Sequence, residues 1–395
     1  MSARARRSIR GMLSLRGWAL AVIAFAACRQ SGGARSADGD SGSTGLAAAV
    51  EAGAEPADSS EPLTAVAVSI GVSAACALTA SGSVLCWGCN QNGVLANDSL
   101  VSSAVPVPIA GLTGHPTSVA VGANSACAVT TGGEVECWGD MAAASDGGSS
   151  ALVVAVSGFA GGVTAVSVGD GTACGLTTSG QVACWGVQLG GHAAIATPSA
   201  VAGLPGRVTS VSVGFDSACA VTAQGAVFCW GANDFGQLGN GSTEASTTPV
   251  PVTGLASGVT AVSVGQQSAC AIAAGGQVEC WGAIMQGVVS PTASVPVPVA
   301  GLTSGVTSVS IGTQSACAVR AGSVESWGHD TQDGIVPTYP PAVVPGLGGG
   351  AVSVSVGAAA ACAIAAGGSV VCWGAAQCGS LGNIAYTSVP IAVPR

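Results

Sequence analysis

The sequence contains no lysine, and charged residues make up only 7% of its 395 positions. An ordinary soluble domain carries about 25% charged residues, so this chain lacks a densely charged surface. Only ten arginines stand against 19 acidic residues, and four of those arginines fall within the first ten positions. This scarcity of cations argues against binding to nucleic-acid phosphates, which requires clustered Arg and Lys.

Aromatic residues are also scarce, at 4%, whereas hydrophobic residues reach 49% and glycine alone accounts for 61 positions. The apolar content is therefore mostly Ala and Val. Such a composition favours a large core in which small side chains pack closely. The length allows two or three ordinary domains or one large all-β domain.

The first 27 residues resemble a secretory leader. A basic start precedes the apolar run Trp18–Ala27, which is too short to span a bilayer as a helix. Phe-Ala-Ala-Cys at its end resembles the lipobox of bacterial lipoproteins, so we expect cleavage before Cys28 and lipidation of Cys28. The alternative is an ordinary cut after Ala26, which would release the protein. Arg6-Arg7 faintly resembles a twin-arginine export signal.

Residues 28–62 are rich in Ser, Gly, Ala and acidic residues and show no apolar periodicity. We expect them to form a disordered tether ahead of a domain at 63–395. Removal of residues 1–27 leaves all 19 acidic residues and five arginines, which gives a mature formal charge of −14. The sequence therefore predicts an exported protein that touches the membrane through its lipid anchor only.

One unit repeats seven times after residue 63. The intervals between its first cysteines are 51, 47, 45, 51, 47 and 45, a series that hints at duplication of a three-unit block. Each unit holds four short β-rich segments bounded by turn residues, without a helical period. Seven such units predict an all-β, seven-bladed β-propeller of four-stranded antiparallel blades. The first cysteines are Cys76, Cys127, Cys174, Cys219, Cys270, Cys317 and Cys362.

A tryptophan follows the second cysteine position of every unit. Because neighbouring blades cover both faces of each blade, we expect these indoles to fill the space between blades and not to bind a ligand. They are Trp87, Trp138, Trp185, Trp230, Trp281, Trp327 and Trp373.

The two cysteines of a unit stand ten positions apart. In the fourth unit a three-residue loop with Gly225 in the left-handed position pairs Thr222 with Ala226, which places Cys219 opposite Cys229 at a Cα separation of about 4.5 Å. In an exported protein we expect such pairs to form disulfides, each worth about 3 kcal/mol. The expected bonds join Cys76 and Cys86, Cys127 and Cys137, Cys174 and Cys184, Cys219 and Cys229, Cys270 and Cys280, and Cys362 and Cys372.

Three cysteines stand apart from this pattern. In the sixth unit Ser326 occupies the partner position, so Cys317 is the expected free thiol. Cys89 and Cys378 lie in loops of the first and seventh units, which are neighbours in a closed ring. A bond between them could act as a clasp, and the sequence leaves that pairing open.

The run Gly225–Gly239 reads Gly-x-Val-x-Cys-Trp-Gly-x-Asn-x-x-Gly-Gln-Leu-Gly, and it resembles the repeat of the regulator of chromosome condensation family. The resemblance covers Leu63–Arg395 and implies a seven-bladed propeller. Relatives include a nucleotide-exchange factor that binds chromatin, a plant ultraviolet-B photoreceptor and a secreted bacterial inhibitor of β-lactamase. They share a loop-bearing face that grips another macromolecule. Here only the fourth copy keeps the full Gly-Gln-Leu-Gly, and the chain has no basic tail.

Catalytic and metal-binding patterns are weak. The three histidines fall in different units, and no Ser/His/Asp or paired-carboxylate arrangement emerges from order or spacing. Cys86–Cys89 has a C-x-x-C spacing but does not precede a helix, and Asp330–Gly334 lacks the closing Glu of a calcium loop. We therefore expect no catalytic residue, no metal and no cofactor.

The variable loop after each Trp-Gly carries most of the unusual side chains, and a rigid ring with variable loops is suited to recognition. We expect a monomeric, non-enzymatic scaffold that binds a protein or an envelope polymer. The alternatives are an enzyme inhibitor or cell-wall enzyme, and a cytosolic nucleotide-exchange factor. Candidate binding residues are Asn90, Asn92, Asp140, Met141, Gln188, Asn233, Asp234, Phe235, Met285, His329 and Asp330.

Overall fold

The computed structural model describes residues 61–140, 150–189, 194–283, 292–313, 315–328, 338–347, 349–375, 378, 381 and 386–395. The predicted leader, Cys28 and nearly all of the predicted tether lie outside the described residues. The described residues form strands joined by turns and loops, with two single 3₁₀ turns at Ala274–Gly276 and Ala366–Gly368.

Each blade is an antiparallel sheet of four consecutive strands. The first four blades contain β1 (Ala67–Ile70), β2 (Ala74–Leu78), β3 (Val84–Gly88), β4 (Ser103–Pro108); β5 (Pro116–Val121), β6 (Ser125–Thr130), β7 (Val135–Gly139), β8 (Ser150–Val156); β9 (Val163–Val168), β10 (Thr172–Thr177), β11 (Val182–Val187), β12 (Ala194–Ala200); β13 (Val208–Val213), β14 (Ser217–Thr222), β15 (Val227–Gly231) and β16 (Ser246–Pro251).

The remaining three blades contain β17 (Ala261–Val264), β18 (Ser268–Ile272), β19 (Val278–Gly282), β20 (Ala293–Pro298); β21 (Val306–Ile311), β22 (Ser315–Arg320), β23 (Ser323–Gly328), β24 (Thr338–Val343); β25 (Ser353–Val356), β26 (Ala360–Ile364), β27 (Val370–Ala375) and β28 (Tyr386–Ala392). The first strands of successive blades contact one another, and β25 contacts β1, so the blades close into a ring. The predicted seven-bladed propeller is confirmed.

A ring of seven glycines surrounds the axis, one directly after the first strand of each blade. A Cβ atom on any of them would collide with the carbonyl oxygen of the next ring glycine, and the last one faces the first. The absence of a side chain therefore sets how closely the blades approach. In order around the axis they are Gly71, Gly122, Gly169, Gly214, Gly265, Gly312 and Gly357.

Serine hydroxyls join the innermost strands of neighbouring blades. Ser69 Oγ accepts the backbone N–H of Val121 at 3.0 Å, and Ser167 Oγ accepts that of Val213 at 2.9 Å. Ser212, Ser263, Ser310 and Ser355 make the same contact with the following blade. Ala120 occupies this position in the second blade.

All six hairpin disulfides are formed, with Cα atoms 4.0 to 4.1 Å apart. This separation is slightly shorter than the value of about 4.5 Å that is usual for a non-hydrogen-bonded pair. The predicted register is confirmed, since the two cysteines of each bond face each other directly across the hairpin. The bonds join Cys76 and Cys86, Cys127 and Cys137, Cys174 and Cys184, Cys219 and Cys229, Cys270 and Cys280, and Cys362 and Cys372.

The hairpin of the sixth blade carries no disulfide. Cys317 lies opposite Ser326 there, and among the cysteines that the structure describes it is the free one, buried in the core, as the sequence predicts. Burial raises the pKa of its thiol to about 12. The thiol therefore stays protonated at neutral pH and packs as a small core residue.

The seven tryptophans are buried between blades, as predicted, with at most 9% of their surface exposed. Trp138 of the second blade packs in one cluster with Leu95 of the first, and Trp281 packs with Leu238 of the fourth. Each indole thus seals the boundary with the preceding blade.

The N-terminal end of the domain completes the last blade. In the fifth unit, the backbone N–H of Val299 donates to the carbonyl of Val278. The N–H of Val278 donates to the carbonyl of Leu302, a leucine of the linker that follows the blade. At the ring closure Val393 donates to Val370 and Val370 donates to Leu63, so Leu63 takes the place of the linker leucine. Leu63 is 1% exposed and packs with Val370 and Val393.

Exchanging Gly169 for alanine should destabilise the propeller, because the new Cβ would collide with the backbone of Gly214. Overpacking of this kind costs about 1–3 kcal/mol, and a backbone obstacle favours the upper end. Gly162→Ala in the same blade is the matched control, since its Cβ would meet only ordinary contacts near 3.7 Å. Thermal unfolding of the two variants should differ clearly; equal melting temperatures would contradict a steric role for the ring.

Candidate binding face

One end of the propeller carries two sets of connections. The turns between first and second strands and the loops between third and fourth strands emerge at this same end, because strands alternate in direction within each blade. We call this end the loop face. The opposite end, the linker face, carries the turns between second and third strands and the linkers between blades.

Buried asparagines organise the loops of the first and fourth blades. The Asn90 side-chain amide donates to Asn97 Oδ1 and to the carbonyls of Ser99 and Val101, while its Oδ1 accepts the N–H of Leu95 at 2.8 Å. Asn233 makes the equivalent four contacts, the last with Leu238 at 2.9 Å. Both asparagines are 0% exposed, so their side chains hold the loop from within.

Each of these loops also receives the tryptophan of the following blade. Trp138 Nε1 donates to the carbonyl of Val94 at 2.7 Å, and Trp281 Nε1 donates to that of Gln237 at 2.8 Å. The chain has positive φ at Gly239 and also at Ala96, which occupies the matching position in the first loop. The asparagine network therefore imposes one shape on both loops, even where glycine has been replaced.

The other candidate residues have different positions. Asp140 and Asp234 are exposed on the loop face, whereas Asn92, Gln188 and Phe235 are partly buried there. Gln188 lines a cleft of about 180 Å³ between the third and fourth blades, together with Trp185 and Trp230. Met141, Met285, His329 and Asp330 lie outside the described residues. A binding role for any of these side chains stays a prediction.

The turns directly after the ring glycines bring a further set of residues to this face. Val72, Ala123, Phe215, Gln266 and Thr313 border a central cavity of about 220 Å³ whose walls are the ring glycines and the inner serines. None of these positions is among the candidate binding residues named above. The signal was present, since the two residues between each ring glycine and the next Ser-Ala-Cys-like run differ in nearly every copy.

The loop face is acidic. Its exposed carboxylates, in the part of the chain that the structure describes, have no Arg on the same face. The three described arginines, Arg207, Arg320 and Arg395, all lie on the linker face, where Arg320 pairs with Glu325 at 2.6 Å. The loop-face acids are Asp98, Asp140, Asp170, Asp216, Asp234 and Glu244.

Two of these acids repel a third, which lies in the blade between theirs. Desolvation raises the pKa of Asp170, and repulsion from Asp216 and Asp140 raises it further. Deprotonating Asp170 therefore opposes the folded state at pH values above its normal pKa. This cost disappears as the pH falls through the raised value. A bound cation or cationic side chain would relieve the repulsion.

The described residues contain no group of three His, Cys, Asp or Glu side chains arranged to hold a metal ion. Among the same residues, no helix is long and apolar enough to cross a membrane.

A disulfide between Cys89 and Cys378 joins the loops of the first and seventh blades, with Cα atoms 4.9 Å apart. The pairing that the sequence left open is therefore present. It lies on the loop face at the same blade boundary that Leu63 completes from the linker face.

Comparison with known proteins supports the repeat assignment. The model of the regulator of chromosome condensation (RCC1) repeat matches residues 81–129 and 224–272, and a second model of that repeat matches 65–94, 163–188 and 208–237. No curated protein sequence matches the chain significantly.

Several solved structures share the fold. Human WBSCR16 is 20% identical with a TM-score of 0.71, covering 79% of this chain and 94% of its own. Prp20p from Saccharomyces cerevisiae, studied for its binding to Gsp1p and histones, is 18% identical with a TM-score of 0.71, over 80% and 87%. The ectodomain of the Arabidopsis thaliana receptor kinase ACR4 is 21% identical with a TM-score of 0.51, over 84% and 98%. At these identities the similarity shows the fold alone.

Replacing Asp216 by asparagine should lower the pKa of Asp170 toward its usual value, because one of the two repelling charges is removed. Carboxyl chemical shifts followed through a pH titration by NMR would measure the change. Asp234→Asn is the control, since Asp234 is not among the groups that raise this pKa. An unchanged Asp170 titration in the Asp216 variant would show that the two carboxylates do not interact.

Proposed function

We propose that this chain, a member of the regulator of chromosome condensation (RCC1) repeat family, is a non-enzymatic, extracytoplasmic binding protein. Its loop face would hold a cationic segment of a protein or a cationic envelope polymer. The rigid ring would fix the loops in space, and the partner would supply the positive charge that the face lacks.

The observation that carries this proposal is that the charged side chains described on the loop face are all acidic, whereas the linker face carries both signs. All described arginines of the propeller lie on the linker face, and six exposed carboxylates lie on the loop face. Single-sign surfaces attract oppositely charged partners and accelerate their encounter. The pKa of Asp170, which is raised first by desolvation and then by repulsion from Asp216 and Asp140, supports the same direction, because a bound cation would relieve the repulsion.

The disulfides support a location outside the cytoplasm. Seven bonds are formed, and disulfides persist in oxidising compartments and are rare where glutathione keeps thiols reduced. Together with the lipobox-like motif at Cys28, they support a lipoprotein held at the bacterial cell envelope. In this proposal the anchor attaches the propeller to the membrane and the loop face engages the partner.

Neutralising the acidic cluster should weaken binding to a basic probe. The variant Asp140→Asn/Asp170→Asn/Asp216→Asn should bind an arginine-rich peptide of about 20 residues roughly tenfold more weakly, since each exposed charge contributes about 0.2–1 kcal/mol. Calorimetry at low and moderate salt would measure the affinity, which should fall with ionic strength.

Glu134→Gln is the matched control, because Glu134 is an exposed acid in the turn between β6 and β7 on the linker face. It should leave the affinity within about twofold of the parent, given the small contribution of single surface charges. Equal affinity of the parent and the triple variant would refute a cation-binding loop face.

Lipidation can be tested separately. Cys28→Ser should abolish incorporation of radiolabelled palmitate and move the protein from the membrane fraction to the soluble periplasmic fraction, because the acyl chains provide the anchor. Cys317→Ser serves as the control, since Cys317 lies inside the propeller. Equal labelling of the parent and the Cys28 variant would exclude the anchor without bearing on the loop face.

A further inference from the structure

Proline occupies the same position on the outer edge of six of the seven blades. The fourth strand of each blade lies at the rim, with its outward backbone groups turned away from the sheet. In β16, Val250 lies opposite Cys229, and the residue before it is Pro249. The equivalent positions in the other five blades are Pro106, Pro198, Pro296, Pro341 and Pro390.

The pairing shows that this position points its backbone nitrogen outward. Val252 donates its N–H inward to Val227, and donors alternate along an antiparallel strand, so Val250 also faces inward. The nitrogens of Pro249 and Pro251 therefore face the rim. Proline has no N–H there and its ring obstructs an approaching strand, which is how sheet edges are protected against unwanted pairing.

The second blade lacks this protection. In β8, Val154 lies opposite Cys137, so Val153 holds the position that is proline in the other six blades, and the next outward nitrogen belongs to Ala155. Both residues can donate an N–H to an added strand. Val154 is 50% exposed, so the edge is also apolar.

We propose that β8 pairs edge to edge with β8 of a second copy of this chain, joining two blades into one continuous antiparallel sheet. Residues 151–155 read Ala-Leu-Val-Val-Ala, which is uncharged and nearly symmetrical about Val153. An antiparallel second copy therefore presents the same residues, with Val153 opposite Val153 and reciprocal N–H···O bonds between them.

The number of open edges supports a second copy as the occupant. A single open edge on each molecule gives a two-fold, self-complementary contact that closes at two subunits. Open edges on further blades would allow chains of molecules, and proline blocks them. This inference is independent of the loop face, and it departs from the monomer that the sequence predicts.

The decisive variant is Val153→Pro, a substitution that the fold already accepts at the equivalent position of six blades. In the third and fourth blades the preceding linker glycine faces this proline, with Gly158 beside Pro198 and Gly203 beside Pro249, and Gly111 lies beside Val153 in the same way. The variant removes one outward N–H and leaves the contact with the linker. Val153→Thr is the control, because it retains the N–H and the β-branched shape.

Light scattering after size-exclusion chromatography should give twice the monomer mass for the parent and for Val153→Thr, and the monomer mass for Val153→Pro. Circular dichroism would establish that all three fold. Independently, the amide of Ala155 should exchange more slowly in the parent than in Val153→Pro, because only the parent pairs this edge. A parent that is monomeric at every concentration, a dimeric Val153→Pro, or equal exchange at Ala155 in the two proteins would overturn the proposal.

Discussion

Contact between backbones at the axis is the constraint on which the rest of the propeller depends. Seven glycines face one another in a closed circle, and none has room for a Cβ atom. Because the innermost strands approach this closely, serine hydroxyls can reach the backbone of the next blade, and the small residues of the second strands can pack face to face. The space between neighbouring blades widens toward the rim, and buried tryptophan side chains fill the gaps that alanine would leave empty there. The dominance of Ala, Val and Gly is thus a geometric requirement of the ring.

The same geometry explains the division between scaffold and loops. The asparagine networks are built on buried side chains, so they hold the loops of the first and fourth blades without occupying the exposed surface. The acids after the ring glycines lie near the axis, where adjacent blades bring Asp170 and Asp216 close together. A ligand at this end would meet charges whose spacing is fixed by the ring and not by the loops themselves. The rigid part of the molecule therefore also positions part of its candidate site.

The fold could be predicted from the sequence because few architectures are compatible with a four-stranded pattern that recurs in phase seven times. The hairpin register followed from turn length, which is why Cys219 and Cys229 could be paired and Cys317 recognised as unpaired. The site was less accessible. Asn90 and Asn233 look like surface loop residues in sequence, yet their amides are buried, because loop closure depends on contacts up to eleven residues away. Asp170 and Asp216 became neighbours only through the ring, which no local pattern encodes.

The position of Leu63 at the junction of the first and last blades affects the order in which the propeller can assemble. The leucine that completes the seventh blade precedes its partner Val393 by the length of the whole propeller, so the circle can close only when the last strand is present beside it. In the proposed export, that moment comes when the last strand has crossed the membrane. Until then one side of the first blade stays uncovered. Hairpin bonds, which link residues ten positions apart, can form as each blade emerges, whereas the bond from Cys89 to Cys378 spans 289 positions and belongs to the final step. Assembly would thus run in the order of translocation, with the covalent lock applied last.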